Sequence, residues 1–412
     1  MKAVKHSLCL LCLIVLCLCC LPVSGHAEEG TCGQNVTWVL ENGCLTISGS
    51  GEMQITKPGS TSSNIYAPWY DLRREITSVV IQDGITSVDS YAFWNCSNLT
   101  SITLPESVTV IGSHAFGECY VLKSITIPSG VTEIQEKTFF ACRSLTELTL
   151  PDGITSIGIS VFQGCSNLKS IVIPDGVTEL YDAAFADCSA LESVTLSSNM
   201  KIIHEDAFSN CASLQSIAIP TSLRHIYARA FAGCSALKEV HISDIRTCFS
   251  ILYDDAASNP LHNGASLLLN GQPVVDIAMP EGSSIVAPFA FINCQSLRSV
   301  TIPEGVSSIH MDAFRNCKNL TYISLPSSLE SIGSFAFDGC DNLTNIKYRG
   351  SIEQIEHMSI GQSNDAIVQH LAGIYAMHTM IKSTTVGNYI NCVLQLLLAG
   401  ACVLFTRKRR GF

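Results

Sequence analysis

Cysteine is the residue of this sequence most open to a chemical role. Cys96, Cys119, Cys142, Cys165, Cys188, Cys211, Cys234, Cys294, Cys317 and Cys340 form a series, and thiolates bind metals, act as nucleophiles or oxidise to disulfides. Spacing decides among these. A zinc site draws on closely spaced cysteine pairs with histidine beside them, whereas neighbours here stand 23 residues apart within each run. If successive coils of chain stack as parallel strands do, about 4.8 Å apart, the sulfurs form a column. A disulfide needs Cβ atoms about 3.8 Å apart, closer than such stacking places them. Free cysteine is among the most buried residue types, so the series reads as a packed, reduced thiol ladder.

Histidine is the next candidate. His114, His204, His225, His241, His262 and His310 are scattered, and His204 and His310 share a register but lie in well separated repeats. No nucleophile–base–acid set can be assembled from them. The sequence has no Gly-x-Ser-x-Gly, His-Glu-x-x-His or phosphate-binding loop. Acids at Asp83, Glu106, Asp152, Asp175 and Glu304 stand singly, as solvated turn residues do, which speaks against a paired-carboxylate glycosidase. Asp341-Asn342 lacks the dense Gly-Asp repeat of a calcium roll. The expectation is no catalytic residue, no cofactor and no metal.

The elements that position the thiols come from a repeat. Phe93, Phe116, Phe139, Phe162, Phe185, Phe208 and Phe231 are spaced by 23 residues, and the series resumes at Phe291, Phe314 and Phe337. Cysteine follows each Phe by three positions, and Leu follows each Cys by three. An alternating β-rich segment such as Ser124-Ile125-Thr126-Ile127 comes next, usually closed by Pro (Pro105, Pro128, Pro151, Pro174, Pro220, Pro303, Pro326), which fits a short strand ending. A Gly-containing turn and a second extended piece such as Val131–Ile134 follow. Phe-x-x-Cys-x-x-Leu then fits a tight helical or 3₁₀ turn. One such unit has too few apolar residues for a core, so the copies must stack. The fold expected is a mainly β solenoid of about ten 23-residue coils with short parallel strands.

The pattern Leu-x-x-Ile-x-Leu-Pro-x-x-Val-x-x-Ile-x-x-x-Ala-Phe-x-x-Cys, read from Leu99 to Cys119, resembles the BspA-type leucine-rich repeats of bacterial surface proteins. The resemblance covers about residues 76–348, with Cys at an inward position often held by Asn. The front of the chain resembles the N-terminal module of Firmicutes members, through Trp38, Leu45-Thr46-Ile47-Ser48-Gly49 and Ala67-Pro68-Trp69-Tyr70. Asn42-Gly43 between two apolar runs signals a hairpin, so 28–75 is expected as a β cap on the first coil, as an open solenoid end requires. Repeats then occupy 76–243 and 284–348. Between them, 244–283 is an extended coil or insertion, which either meets a partner or only enlarges a coil; its Leu267–Val275 part reads as a hairpin turning at Asn270-Gly271. Residues 349–385 form a closing cap or a stalk.

The ends look like targeting segments. Residues 1–27 have a basic start, an apolar run and small residues before Glu28, the pattern of a secretory signal peptide. Residues 386–405 are mostly apolar, long enough to span a bilayer, and the basic tail 406–412 follows on what would be the cytoplasmic side. The alternative for 386–405 is an amphipathic terminal helix packed on its own domain. In an exported chain, Cys32 and Cys44, outside the ladder, are the candidate disulfide pair. The chain holds 35 acids against 24 bases, a net charge of −11, which argues against nucleic acid. Its charged fraction of 14% is below the roughly 25% of an average domain, and Ser, Thr and Asn supply the surface polarity instead.

What is left is surface. Outward strand positions carry Ser101 and Thr103, Ser193 and Thr195, and Ser299 and Thr301. Glu239, His241, Tyr253, Tyr322 and Tyr348 are the expected ligand-contacting residues, aromatic rings being common interface anchors. The expected function is non-catalytic adhesion at the cell surface, anchored by one membrane span or secreted, with an extracellular protein or glycan as partner. The alternative is a passive scaffold or spacer.

Overall fold

The computed structural model describes residues 27–55 and 67–382. The predicted signal peptide up to residue 26, the predicted span 386–405 and the tail 406–412 lie outside these. Among the described residues no helix is long and apolar enough to cross a membrane. Two compact units are present. The first runs to Gln215 and includes Phe231–Ala236; the second holds Ser216–Ala230 and the chain from Leu237.

The first unit opens with three antiparallel strands, β1 (Glu28–Gly33), β2 (Val36–Glu41) and β3 (Cys44–Gly49). Asn42 and Gly43 turn between β2 and β3 with φ of 49° and 78°, the left-handed pair that a two-residue hairpin requires. Trp38, Leu40, Leu45 and Ile47 alternate into the interior. β3 also pairs in parallel with Ser78–Ile81, Cys44 opposite Ser78. The hairpin therefore hands over to a parallel array, and β3 belongs to both.

From there the chain winds as a β solenoid of leucine-rich coils, about 12 turns in all. Most coils give one strand to a main face and a shorter one to a second face, and the strands of each face fall into three separate sheets. Ser170 pairs with Ser193 in the first and Glu179 with Ile202 in the second, both offset by one repeat. Alternation puts Ile171 and Val194 inside and Ser170, Val172, Ser193 and Thr195 outside, as a half-buried strand requires. In the middle of the first unit the main pairing thins to a single bridge, Ser124 to Glu147.

At Phe-x-x-Cys-x-x-Leu, where a tight helical or 3₁₀ turn is expected, the chain makes successive single turns closed by i→i+3 bonds. Cys96 N–H donates to Phe93 O at 3.1 Å and Leu99 N–H to Cys96 O at 3.0 Å. A helix is interrupted because the residues two before and two after each Phe are left-handed. The earlier position, from Tyr91 to Phe335, has φ of 53–61°, and the later one, from Asn95 to Gly339, has 55–75°. None of these residues is β-branched, the types that tolerate this region least. The conformation turns backbone amides toward the next coil: Phe93 N–H donates to Ala115 O at 2.8 Å, Phe116 N–H to Thr138 O at 2.9 Å, and Phe314 N–H to Ala336 O at 2.9 Å.

In the second unit, Glu239–Ile242 pairs in parallel with Ser266–Leu269, with Glu239 opposite Ser266. The stretch between closes one coil longer than the rest, through a short helix Thr247–Ser250 and two 3₁₀ turns. Phe249 lies 5.4 Å from Phe291. An antiparallel hairpin follows, Ser266–Leu269 with Gln272–Pro273, turning at Asn270 and Gly271. At the far end come a helix Ile352–His357, capped by Ser351 and Gln354, and a helix Asp365–Lys382.

Candidate functional site

The phenylalanine rings stack in a buried column. In the first unit successive centroids from Phe93 to Phe116 are 5.5 Å apart, and from Phe162 to Phe185 5.1 Å; in the second, Phe291, Phe314 and Phe337 are spaced by 5.4 and 5.3 Å. The rings are near-parallel, 4–17° between planes in these pairs, and such stacked contacts add to the area they bury. Trp69, whose segment lacks the Phe-x-x-Cys signature, extends the first column: its ring is 5.8 Å from Phe93, and its indole N–H donates to Ala92 O at 2.8 Å.

The cysteines line the same interior. Cys119 Sγ donates to Phe93 O at 3.2 Å, Cys188 Sγ to Phe162 O at 3.1 Å, and Cys317 Sγ to Phe291 O at 3.0 Å. Each thiol so reaches back one coil, to a carbonyl that the backbone of its own coil also uses. Burial pushes Cys96, Cys142 and Cys234 up to about 12, and Cys119, Cys165, Cys188 and Cys211 well above the ordinary thiol range. Cys294, just after the long coil, sits 3.6 Å from Ser296 Oγ instead. Thiols kept protonated and bonded to carbonyls are not activated nucleophiles.

The expected Cys32–Cys44 disulfide is not present; both are free. Cys32 lies on β1 beside Val36 and Thr37, and Cys44 on β3 faces Glu41. β2 separates them and they sit at its opposite ends, beyond disulfide reach.

Three of the five expected ligand contacts face outward. Glu239 is exposed and its carboxylate meets half-buried His241 Nε2 at 3.0 Å. Tyr322 is half-buried between Ser299 and Asn345 of the flanking strands. Tyr253 differs from expectation: it lines a small internal cavity with Cys248 and Asn259, and burial pushes its hydroxyl pKa up. Tyr348 also differs. Its hydroxyl is buried without a hydrogen-bond partner among the described residues, because the ring folds back over Gly350.

The histidines do pair with acids. His204 Nε2 is 3.2 Å from Glu179 and His225 Nε2 is 2.7 Å from Asp254. Among the described residues no group of three or more His, Cys, Asp or Glu is arranged to hold a metal ion. Tyr91 and His114 stack at 4.5 Å, and Trp94 lies 5.3 Å from His114 and 6.3 Å from Phe140. A Cβ on Gly117 would come within 2.2 Å of the Trp94 ring, so that glycine makes room for it. Burial, then Lys137, hold the His114 pKa down.

The family model for the BspA type leucine rich repeat region matches residues 63–191, 132–253 and 268–369. The chain belongs to the BspA-type leucine-rich repeat family. Similar solved structures include a leucine-rich repeat protein from Bacteroides ovatus, 26% identical over 76% of this chain and 93% of that one, with a TM-score of 0.47. Another is from Eubacterium ventriosum, 24% identical over 76% and 95%, with a TM-score of 0.38. A leucine rich cell surface protein from Faecalibacterium prausnitzii is 25% identical over 82% and 98%, with a TM-score of 0.38. No curated protein matches.

In this BspA-type chain, sequence reasoning missed the Tyr91–Trp94–His114–Phe140 cluster. The repeat register could have found it. Tyr91 and His114 occupy one column, two before the Phe; Trp94, Gly117 and Phe140 occupy another, one after it. Columns of a stacked repeat meet side by side.

Proposed function

We propose that this protein is a non-catalytic binding and adhesion protein presented outside the cell. In this reading residues 1–27 direct export, 28–75 cap the first coil, and 386–405 with the basic tail 406–412 hold the chain in the membrane. The ligand is an extracellular protein or glycan, met on the outward side of the main strands.

One observation carries the proposal. The outward positions of the main strands form columns rich in exposed hydroxyls, among them Ser101, Thr103, Ser193 and Thr195, interrupted by Glu147, Val172 and Ala218, by the Glu239–His241 pair and by Tyr322. Rigid backbone fixes their spacing, which lowers the ordering cost of binding. Membership of a leucine-rich repeat family supports the reading, and so does the placement of every ladder thiol in the interior. The test is binding of the full-length protein to arrays of extracellular matrix proteins and glycans. Binding that weakens on Tyr322→Ala or Glu239→Lys is expected; no binding above a blocked surface overturns the proposal and leaves a passive spacer.

A further inference from the structure

The parallel main sheet of the second unit is broken within residues 266–279. Gln272–Pro273 runs antiparallel beside Ser266–Leu269, and the next strand, Asp276–Ala278, pairs only with Ser299–Thr301. Asp276–Ala278 is therefore an edge strand in the middle of the repeat array. Its flanks show which groups the existing ladder uses. Ser299 N–H donates to Val275 O at 3.2 Å and Met279 N–H donates to Thr301 O at 2.9 Å. Alternate residues of a parallel strand direct their amides to opposite sides, so the N–H and C=O of Asp276 and Ala278 face away from Ser299–Thr301. No described residue bonds them.

A groove of about 370 Å³ lies on that open side. Ile245, Leu269, Val275, Pro273 and Ala278 give it apolar walls, the first three half-buried and the last two exposed. The other end of this sheet, Asn345–Tyr348, has the helix Asp365–Lys382 packed against it, the ordinary way of shielding an edge. Asp276–Ala278 has no such cover among the described residues.

We propose that this edge takes up an extended peptide segment of a partner protein as an added strand. The inference rests on the binding reading above and names the class of partner. Two donor–acceptor pairs repeat along the edge at the two-residue period of a strand, about 6.6 Å, and another extended backbone matches that spacing. A glycan carries no amide series at this interval. The apolar walls then receive alternate side chains of the added segment, the division of labour in strand addition. Asp276 is exposed and is the strand's only charge, which favours a neutral or basic segment over an acidic one.

The test uses the full chain and short linear peptides selected against it from a displayed library. The selected peptides, once synthesised, are expected to slow hydrogen exchange at the Asp276 and Ala278 amides of the unmodified protein. Ala278→Pro removes an N–H that points to the groove and spares the Ser299–Thr301 ladder, a position where an edge strand tolerates proline. It is expected to weaken those peptides about tenfold, one hydrogen bond's contribution, while Ala278→Val, which keeps the amide, changes affinity less. Peptides that leave both amides unprotected, or a selection yielding none, overturn the inference. If the arrays above still show binding that Ala278→Pro leaves unchanged, the inference falls alone; if no array binding is found either, the reading beneath it falls too.

Discussion

Cys142 Sγ sits 3.1 Å from the carbonyl oxygen of Phe116, which also accepts the amide of Cys119 at 3.2 Å. One oxygen so ties its own coil and the next. Cys142→Ala removes one donor and leaves a small void in a fully buried position, and about 2 kcal/mol of destabilisation is expected. Cys142→Ser keeps a hydroxyl donor and should cost less. Urea unfolding compares them; a serine variant no better than alanine would show that the thiol only fills space.

Labelling separates these thiols from one other. Cys44 is half-buried, while every other described cysteine is buried. A thiol reagent added to the native protein should modify Cys44 first, with the ladder reacting only on unfolding, as read by mass spectrometry of the digested protein. Fast labelling of Cys119 or Cys188 would contradict the interior placement.

Alkali should unfold the chain cooperatively. Burial pushes Cys96, Cys142 and Cys234 up to about 12 when folded, and Cys119, Cys165, Cys188 and Cys211 well above the ordinary range, against about 9 when unfolded. Above pH 9 the unfolded chain has lost protons that the folded chain keeps, so stability is full below pH 9 and falls as pH rises toward 12. Each such thiol costs about 1.4 kcal/mol per pH unit in that window. A few of them match the whole stability of an ordinary domain, about 5–15 kcal/mol. Circular dichroism against pH should show unfolding begin near pH 10, later for a variant with Cys142 and Cys165 both replaced by valine. An unchanged midpoint in that variant would remove the thiols as the cause.

The repeat was legible because period and chemistry coincide: each Phe needs the same slot, so the columns could be read from the text alone. Two further coils were not. Trp69 fills a phenylalanine slot without the cysteine signature, and the coil holding Phe249 is longer than the rest, so neither shows the period. The left-handed backbone was equally silent. Lys137, Ser160 and Ala183 adopt it although nothing in their side chains asks for it; the hydrogen bonds between coils impose it. At the candidate site, pattern placed Tyr322 and Glu239 on the surface but could not tell that Tyr253 and Tyr348 turn inward, since both lie where the repeat is irregular.

Those silent positions carry a prediction. Ala183 has φ of 53°, which strains any residue with a Cβ by about 1–2 kcal/mol. Ala183→Gly relieves that at a smaller entropic cost, so the thermal midpoint should rise slightly. Ala183→Val should lower it by more than the glycine raises it. A valine variant as stable as the parent would mean that this turn relaxes into another conformation.

The last rung of the phenylalanine column in the second unit ends on a side chain. Phe291 and Phe314 donate their amides to the carbonyls of Ala313 and Ala336, but Phe337 N–H donates to Asn364 Oδ1 at 3.0 Å. The Asn364 amide in turn donates to Gly333 O at 2.9 Å and Gly361 O at 2.8 Å, and the residue is 1% exposed. The Gly333 carbonyl also accepts Ala336 N–H at 3.3 Å, so two backbone groups, the Phe337 amide and the Gly361 carbonyl, depend on this one side chain among the described residues. Asn364→Leu keeps the branched heavy-atom shape and leaves the Phe337 amide and the Gly361 carbonyl unsatisfied in a buried place, at about 1–3 kcal/mol for each such group. Hydrogen exchange should accelerate at Phe337 and leave Phe116, in the first unit, unchanged, because repeat stability is carried by neighbours. Unaltered exchange at Phe337 in the leucine variant would show that the column needs no such ending.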